Sequence, residues 1–232
     1  YGVGGGITWD STWESEYREV HQKAAVLYRK QARFQLITTG KISQKNLFFE
    51  EQHLERLRKA SRYFAFPFDS ENLKQKIEEE CQACDANQDY RLRISLSKSG
   101  EIEVERRVLT PLSPSFCQAK LCLQEANLQQ AFTYFKTTYR PHLNLGEQEK
   151  IYHNTRGELL ETSIGNLVLK IDGKLYTPPI RLGILPGIYR QHLLETGEVE
   201  EKILTLADFA QAEDIYACNA VRGLYELSVK ES

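Results

Sequence analysis

Apolar positions recur along this chain with two periods, and these divide it into helices and strands. Leu54, Leu57, Ser61 and Phe64 repeat at helical spacing with charges between them, predicting a helix over 48–64 that Pro67 ends. Ala24, Ala25 and Leu27 predict a helix over 14–29, with Asp10-Ser11 as an N-cap. A third helix is expected over 71–84, capped by Ser70, with early acids that suit the helix dipole. Strands show as alternation: Leu92, Ile94 and Leu96 face one way, Arg91, Arg93 and Ser95 the other. After Ser99-Gly100 the pattern resumes with Ile102 and Val104, a hairpin. Further strands are expected over 34–38, 119–123 and 215–221, and a second hairpin joins 167–171 to 175–177 through Asp172-Gly173. The polar stretch 41–46 reads as a turn, Pro186-Gly187 opens a helix to about residue 195, and 206–211 is a short helix. Strands and helices mix without strict alternation, so the fold class expected is α+β.

Composition narrows the function classes. The chain has 232 residues, 41% hydrophobic and 27% charged, enough for one large domain or two small ones. Net charge is −2 and no basic stripe stands out, so the phosphate-attracting surface of a nucleic-acid binder is not expected. No apolar run reaches membrane-spanning length, and YGVGGGITWDS does not resemble a secretion signal. The five cysteines include Cys81-Gln-Ala-Cys84, but no second pair completes a zinc site; reduced thiols in a cytoplasmic protein are expected. The stretch DANQDY lacks the glycine and glutamate of a calcium loop, so no metal is expected. A start at Tyr1 in a chain without methionine is expected of a piece of a longer polypeptide.

Four segments carry candidate chemistry. In FKTTYRP, a half-buried Lys136 would lose its charge and become the free amine that Schiff-base chemistry needs, although most lysines are solvated. In ETSIGNLVLKIDGKLYTPP, Glu161 heads a polar cluster that reads either as a turn or as the partner of a protonated pyridine nitrogen. In LGILPGIYR, Gly187 permits close approach, and the amides of Ile188 and Tyr189 suit a phosphate at a helix start. In FFEEQHLERL, Arg56 either grips a phosphate or pairs with neighbouring acids. Each segment alone has an ordinary structural explanation.

Taken together and in this order, the E-T-S-x-x-N-L, Y-T-P-P and LGILPGIYR segments resemble the signature of the class IV aminotransferases. That family includes branched-chain and D-amino-acid aminotransferases and 4-amino-4-deoxychorismate lyases. The resemblance implies two α/β lobes with pyridoxal 5'-phosphate between them, usually in a homodimer. It implies Lys136 as the cofactor lysine, Glu161 on the pyridine nitrogen, and Arg56, the Ile188 and Tyr189 amides and Asn219 around the phosphate. Thr38 and Thr39 would line the substrate pocket, and Arg91, Arg93, Arg140 and Arg181 are candidates for substrate carboxylates.

A second resemblance narrows this. GGGITWDS followed by ESEYRE (4–19) is similar to the C-terminal end of chorismate-utilising enzymes such as aminodeoxychorismate synthase component I. There Glu16 and Glu19 stand where that family's magnesium-binding acids would be, but only the tail of such a domain is present, so no synthase activity is expected. The implied organisation is 1–30 as that tail, 31–112 as the small lobe and 113–232 as the large cofactor-binding lobe. The implied activity is the lyase that makes 4-aminobenzoate and pyruvate, within a synthase–lyase fusion. The alternatives are an aminotransferase on the same scaffold and a non-catalytic domain.

Overall fold

The computed structural model describes residues 5–28, 33–124, 131–143 and 146–229. The chain divides into two compact units, Tyr1–Arg33 and Phe34–Ser232.

The first unit carries α1 (Trp13–Tyr28). Thr12, not Asp10 or Ser11, caps it: its hydroxyl accepts the Ser15 N–H at 3.3 Å. The hydroxyl of Ser11 instead donates to Glu16 Oε1 at 2.6 Å.

The second unit begins with a four-stranded antiparallel sheet and two helices: β1 (Leu36–Ser43), β2 (Asn46–Leu47), α2 (Glu50–Phe64), α3 (Ser70–Gln82), β3 (Tyr90–Leu96) and β4 (Ile102–Val108), in the order β2-β1-β3-β4. The 41–46 stretch is not simply a turn. β1 runs on to Ser43 because it pairs with β3 along its whole length, from Leu36↔Leu96 to Ile42↔Tyr90. The reversal is confined to Gln44 and Lys45, both at positive φ. Asp69, not Ser70, caps α3, its carboxylate accepting from the Glu71 and Asn72 N–H groups. Leu54 and Leu57 of α2 and Leu73 and Ile77 of α3 pack on Leu36, Leu92 and Leu96 as one core, each contributing about 1.5–3 kcal/mol. The polar residues of β3 therefore face the other way.

The rest consists of α4 (Pro114–Cys117), β5 (Gln118–Leu123), α5 (Ala131–Tyr134), β6 (Lys150–His153), β7 (Leu159–Thr162), β8 (Asn166–Ile171), β9 (Lys174–Thr177), α6 (Ile188–Glu195), β10 (Glu200–Glu201), α7 (Leu206–Gln211), β11 (Asp214–Asn219) and β12 (Gly223–Val229). These strands form a second sheet in the order β10-β9-β8-β11-β12-β5-β6-β7, and Glu161 of β7 pairs with Asn166 of β8. The sheet thus curls back on itself around Ala119, Ile151, Leu159, Leu167, Ala217 and Leu227. The expected hairpin at Asp172-Gly173 forms with both residues at positive φ. The result is a mixed α+β fold. No helix among the described residues is long and apolar enough to cross a membrane.

Candidate active site

A cavity of about 500 Å³ opens between the polar face of β3, the segment after α5, the end of β7, the start of α6 and the β11–β12 turn. Its size suits a small-molecule site. Lys136 reaches it from a segment laced onto β1. The Lys136 carbonyl accepts the Ile37 N–H at 2.9 Å, Thr138 N–H donates to the Gln35 carbonyl at 2.9 Å, and Gln35 N–H donates to Thr138 Oγ1 at 2.9 Å. The Lys136 amine borders the cavity but is withdrawn from bulk water. Burial first, then the charges of Arg56, Arg140, Arg91 and Arg93, hold it well below the ordinary lysine range. A lowered pKa favours the free, nucleophilic form of the amine.

Glu161 closes β7 and is buried. Its Oε1 accepts the Leu185 N–H at 3.4 Å and its Oε2 lies 3.7 Å from Arg140 Nη2. Burial pushes its pKa up to about 7, against the opposing pull of Arg140, Leu185 and Lys136. The Nε of Arg140 is buried without a hydrogen-bond partner among the described residues. Arg140 thus stands beside a site carboxylate in this structure.

Arg56 extends from α2 and donates from Nη2 to the Pro186 carbonyl at 2.7 Å, directly before α6. Burial, then Arg140, lowers it to about 10, still a cation at neutral pH. Gly187 is the N-cap of α6 and offers no side chain to it, so the first-turn amides of Ile188 and Tyr189 lack partners within the helix. Asn166 ties this turn down, Nδ2 donating to the Leu185 carbonyl at 2.8 Å. A Cβ on Gly187 would stand 1.9 Å from Asn166 Oδ1, so any larger residue there must push the Asn166 carboxamide aside. Beside it, Asn219 Oδ1 accepts the Val221 and Arg222 N–H groups at 2.9 Å each, which turns the β11–β12 backbone toward the cavity. A guanidinium beside an open helix N-terminus is an anion site, and phosphate chemistry fits it.

Of the residues expected from sequence, Lys136, Glu161, Arg56, Ile188, Asn219 and Thr39 border this one cavity, as do Arg91, Arg93 and Arg140. Thr38 does not. Its hydroxyl shares a 2.6 Å hydrogen bond with His53 Nδ1 on the opposite face of β1, because neighbouring strand residues point to opposite sides. Arg181 sits in the 3-10 turn Ile180–Leu182, outside the cavity lining. The Tyr189 ring turns away and packs edge-on against Phe49, leaving only its backbone at the helix start.

Three residues escaped the sequence reading. Asn166 was legible as part of E-T-S-x-x-N, but its lock on the Pro186-Gly187 turn was not. Arg222 borders the cavity and has no periodic signal. Glu149, fully buried, accepts the Ile164 N–H at 3.2 Å and the Tyr225 hydroxyl at 3.1 Å, bracing the 162–165 loop. It lies in a charged stretch that reads as solvated surface.

Residues 35–228 match the family model described as amino-transferase class IV, and the chain belongs to that family of pyridoxal-phosphate enzymes. The aminodeoxychorismate lyase of Saccharomyces cerevisiae is 23% identical over 253 aligned residues, covering 79% of this chain and 67% of that protein. The crystal structure of a candidate amino-acid aminotransferase from Mesorhizobium loti superposes with a TM-score of 0.73 at 27% identity, covering 85% of this chain and 100% of that one. That of a candidate 4-amino-4-deoxychorismate lyase from Legionella pneumophila gives a TM-score of 0.66 at 20% identity, covering 85% and 83%.

Proposed function

We propose that the protein is a pyridoxal 5'-phosphate-dependent 4-amino-4-deoxychorismate lyase, forming 4-aminobenzoate and pyruvate. The carrying observation is that one cavity brings together a buried lysine amine, a buried carboxylate and an anion cradle. These are the three groups that an aldehyde, a pyridine nitrogen and a phosphate call for. Lys136 would hold the cofactor covalently, Glu161 would face its ring nitrogen, and Arg56 with the Ile188 and Tyr189 amides and the Asn219 turn would hold its phosphate. When bound, the cofactor supplies an electron sink for negative charge on the substrate's amine-bearing carbon.

The chain's own groups supply the proton chemistry. Once the substrate amine has replaced it, the freed Nζ of Lys136 would take the proton from the amine-bearing carbon as general base. Withdrawal from bulk water lowers its pKa and favours the unprotonated form for that role. Glu161, with its pKa raised to about 7, shares a proton with a basic ring nitrogen and keeps it cationic. The carbon–oxygen bond to the enolpyruvyl group then breaks, and Lys136 returns the proton to the departing fragment, giving pyruvate. Substrate atoms equal product atoms, so no co-substrate is needed, and aromatisation drives the step.

Lyase over aminotransferase is supported by the lyase relatives and by the resemblance of 4–19 to a chorismate-utilising enzyme. On this reading 1–30 is the tail of a synthase domain fused upstream, 31–112 the small lobe and 113–232 the cofactor lobe, in a homodimer. Light scattering at twice the 26.8 kDa chain mass checks the dimer, and a reading frame upstream of Tyr1 without a chorismate-binding domain would remove the fusion. The aminotransferase reading is favoured by the Mesorhizobium loti relative.

The test supplies the holoprotein with aminodeoxychorismate and follows both products. Equimolar 4-aminobenzoate and pyruvate are expected, with turnover lost in Lys136→Ala. Amino-group transfer to a 2-oxo acid without 4-aminobenzoate would move the protein to the aminotransferases.

A further inference from the structure

Among the described residues, six basic side chains and a single carboxylate border the cavity. Glu161 accompanies Arg140, Arg56 stands at the anion cradle, and Lys136 is the lysine assigned to the cofactor under the proposed function. That leaves Arg91, Arg93 and Arg222. Arg91 and Arg93 are two apart on β3, so they project to the same face. Arg222 comes from the β11–β12 turn, where the Asn219 carboxamide fixes its backbone. Among the described residues none of the three forms an ion pair, whereas Arg106, Arg140 and Arg190 each have a glutamate. Arg91 lies close enough to Arg93 and Arg222 for both to act on it as like charges, opposed in part by Glu105, which forms no ion pair with it. Clustered guanidinium groups with no carboxylate in contact repel one another, and a ligand anion relieves that cost.

We propose that Arg222, together with Arg91, is a specificity-determining pair that holds a second substrate carboxylate, so that the site selects ring amines carrying two carboxylates. Arg93 faces the first carboxylate. Two carboxylates on three guanidinium groups leave each anion a fork of donors. An amine with one carboxylate leaves Arg222 and Arg91 unpaired and binds less tightly. The pair deepens the lyase reading, whose substrate has two carboxylates, but the selectivity is a property of the cavity and holds whichever reaction follows.

The test is an equilibrium titration of the holoprotein with isophthalate, which has two carboxylates on one ring, and with benzoate, which has one. Isophthalate is expected to bind at least about tenfold more tightly, a difference of about 1.4 kcal/mol. Arg222→Gln should erase that preference while leaving benzoate affinity unchanged, and Arg222→Lys should retain part of it. With aminodeoxychorismate, Arg222→Gln should raise KM about tenfold and leave kcat nearly unchanged. Arg91→Gln gives the same readout if Arg222→Gln does not fold. Equal binding of the two probes by the native protein overturns the proposal, as does an equal loss of both in the variants. If the preference and its dependence on Arg222 hold but no 4-aminobenzoate forms, the lyase reading fails and the subsite stands.

Discussion

Glu161 and Lys136 show how one cavity sets two ionisable groups in opposite directions. Burial disfavours charge on both, so the carboxyl rises to about 7 and the amine falls well below its usual range. The stability consequence for Glu161 has a definite sign. A carboxyl whose folded pKa is raised above its unfolded value of 4.5 contributes stability below pH 4.5 and loses it as pH climbs to about 7. The swing is on the order of 3 kcal/mol. In the cofactor-free protein, Glu161→Gln is therefore expected to gain thermal stability relative to the native chain between pH 5 and about 8. Parallel melting curves across that range would contradict the raised carboxyl. The chemical types at these positions were legible in sequence, as was the direction that burial would give Lys136, but whether either group is buried was not, because desolvation depends on what the fold packs around them.

At the scale of elements, the site depends on where strands and helices end. Alternation along β1 sends Thr39 to the cavity and Thr38 to His53, and sequence alone had no means of choosing between adjacent threonines. The same alternation along β3 was visible, but which of the candidate arginines share a cavity depended on the long-range packing that leaves Arg91 and Arg93 in it and Arg181 outside. The start of α6 was legible from Pro186-Gly187, and its caplessness follows from glycine at the N-cap. Its partner Asn166 is brought in from β8. Gly187→Ala should displace Asn166, free the Leu185 carbonyl and lower affinity for pyridoxal phosphate at least about tenfold, with loss of the local hydrogen bond costing about 1 kcal/mol. An absorbance titration that gives native affinity for this variant would show that the turn tolerates a methyl.

For the whole molecule, near-neutral net charge hides a local imbalance. The sequence carries −2 overall, yet among the described residues the cavity gathers six basic side chains around one acid. Such a site draws anions by its field, and salt weakens that pull. For the two-carboxylate substrate, kcat/KM should fall as ionic strength rises from about 0.01 M to about 0.15 M, where the screening length drops from about 30 to about 8 Å. A flat profile would argue that the arginines are offset by groups outside the cavity.

The sequence by itself determined the helices α1, α2, α3, α6 and α7, both hairpins, the α+β class and the four motif segments, because these rest on local periodicity, turn chemistry and residue type. It also placed Lys136, Glu161 and Arg56 in one family pattern. The tertiary structure decided what local rules do not reach. It laced the Lys136 segment onto β1, closed β7 onto β8, braced the 162–165 loop on Glu149, and turned Arg222 into the cavity beside Arg91. Each of these joins residues far apart in the chain, and packing and long-range hydrogen bonds, with no repeat in the sequence to announce them, fix which residues meet.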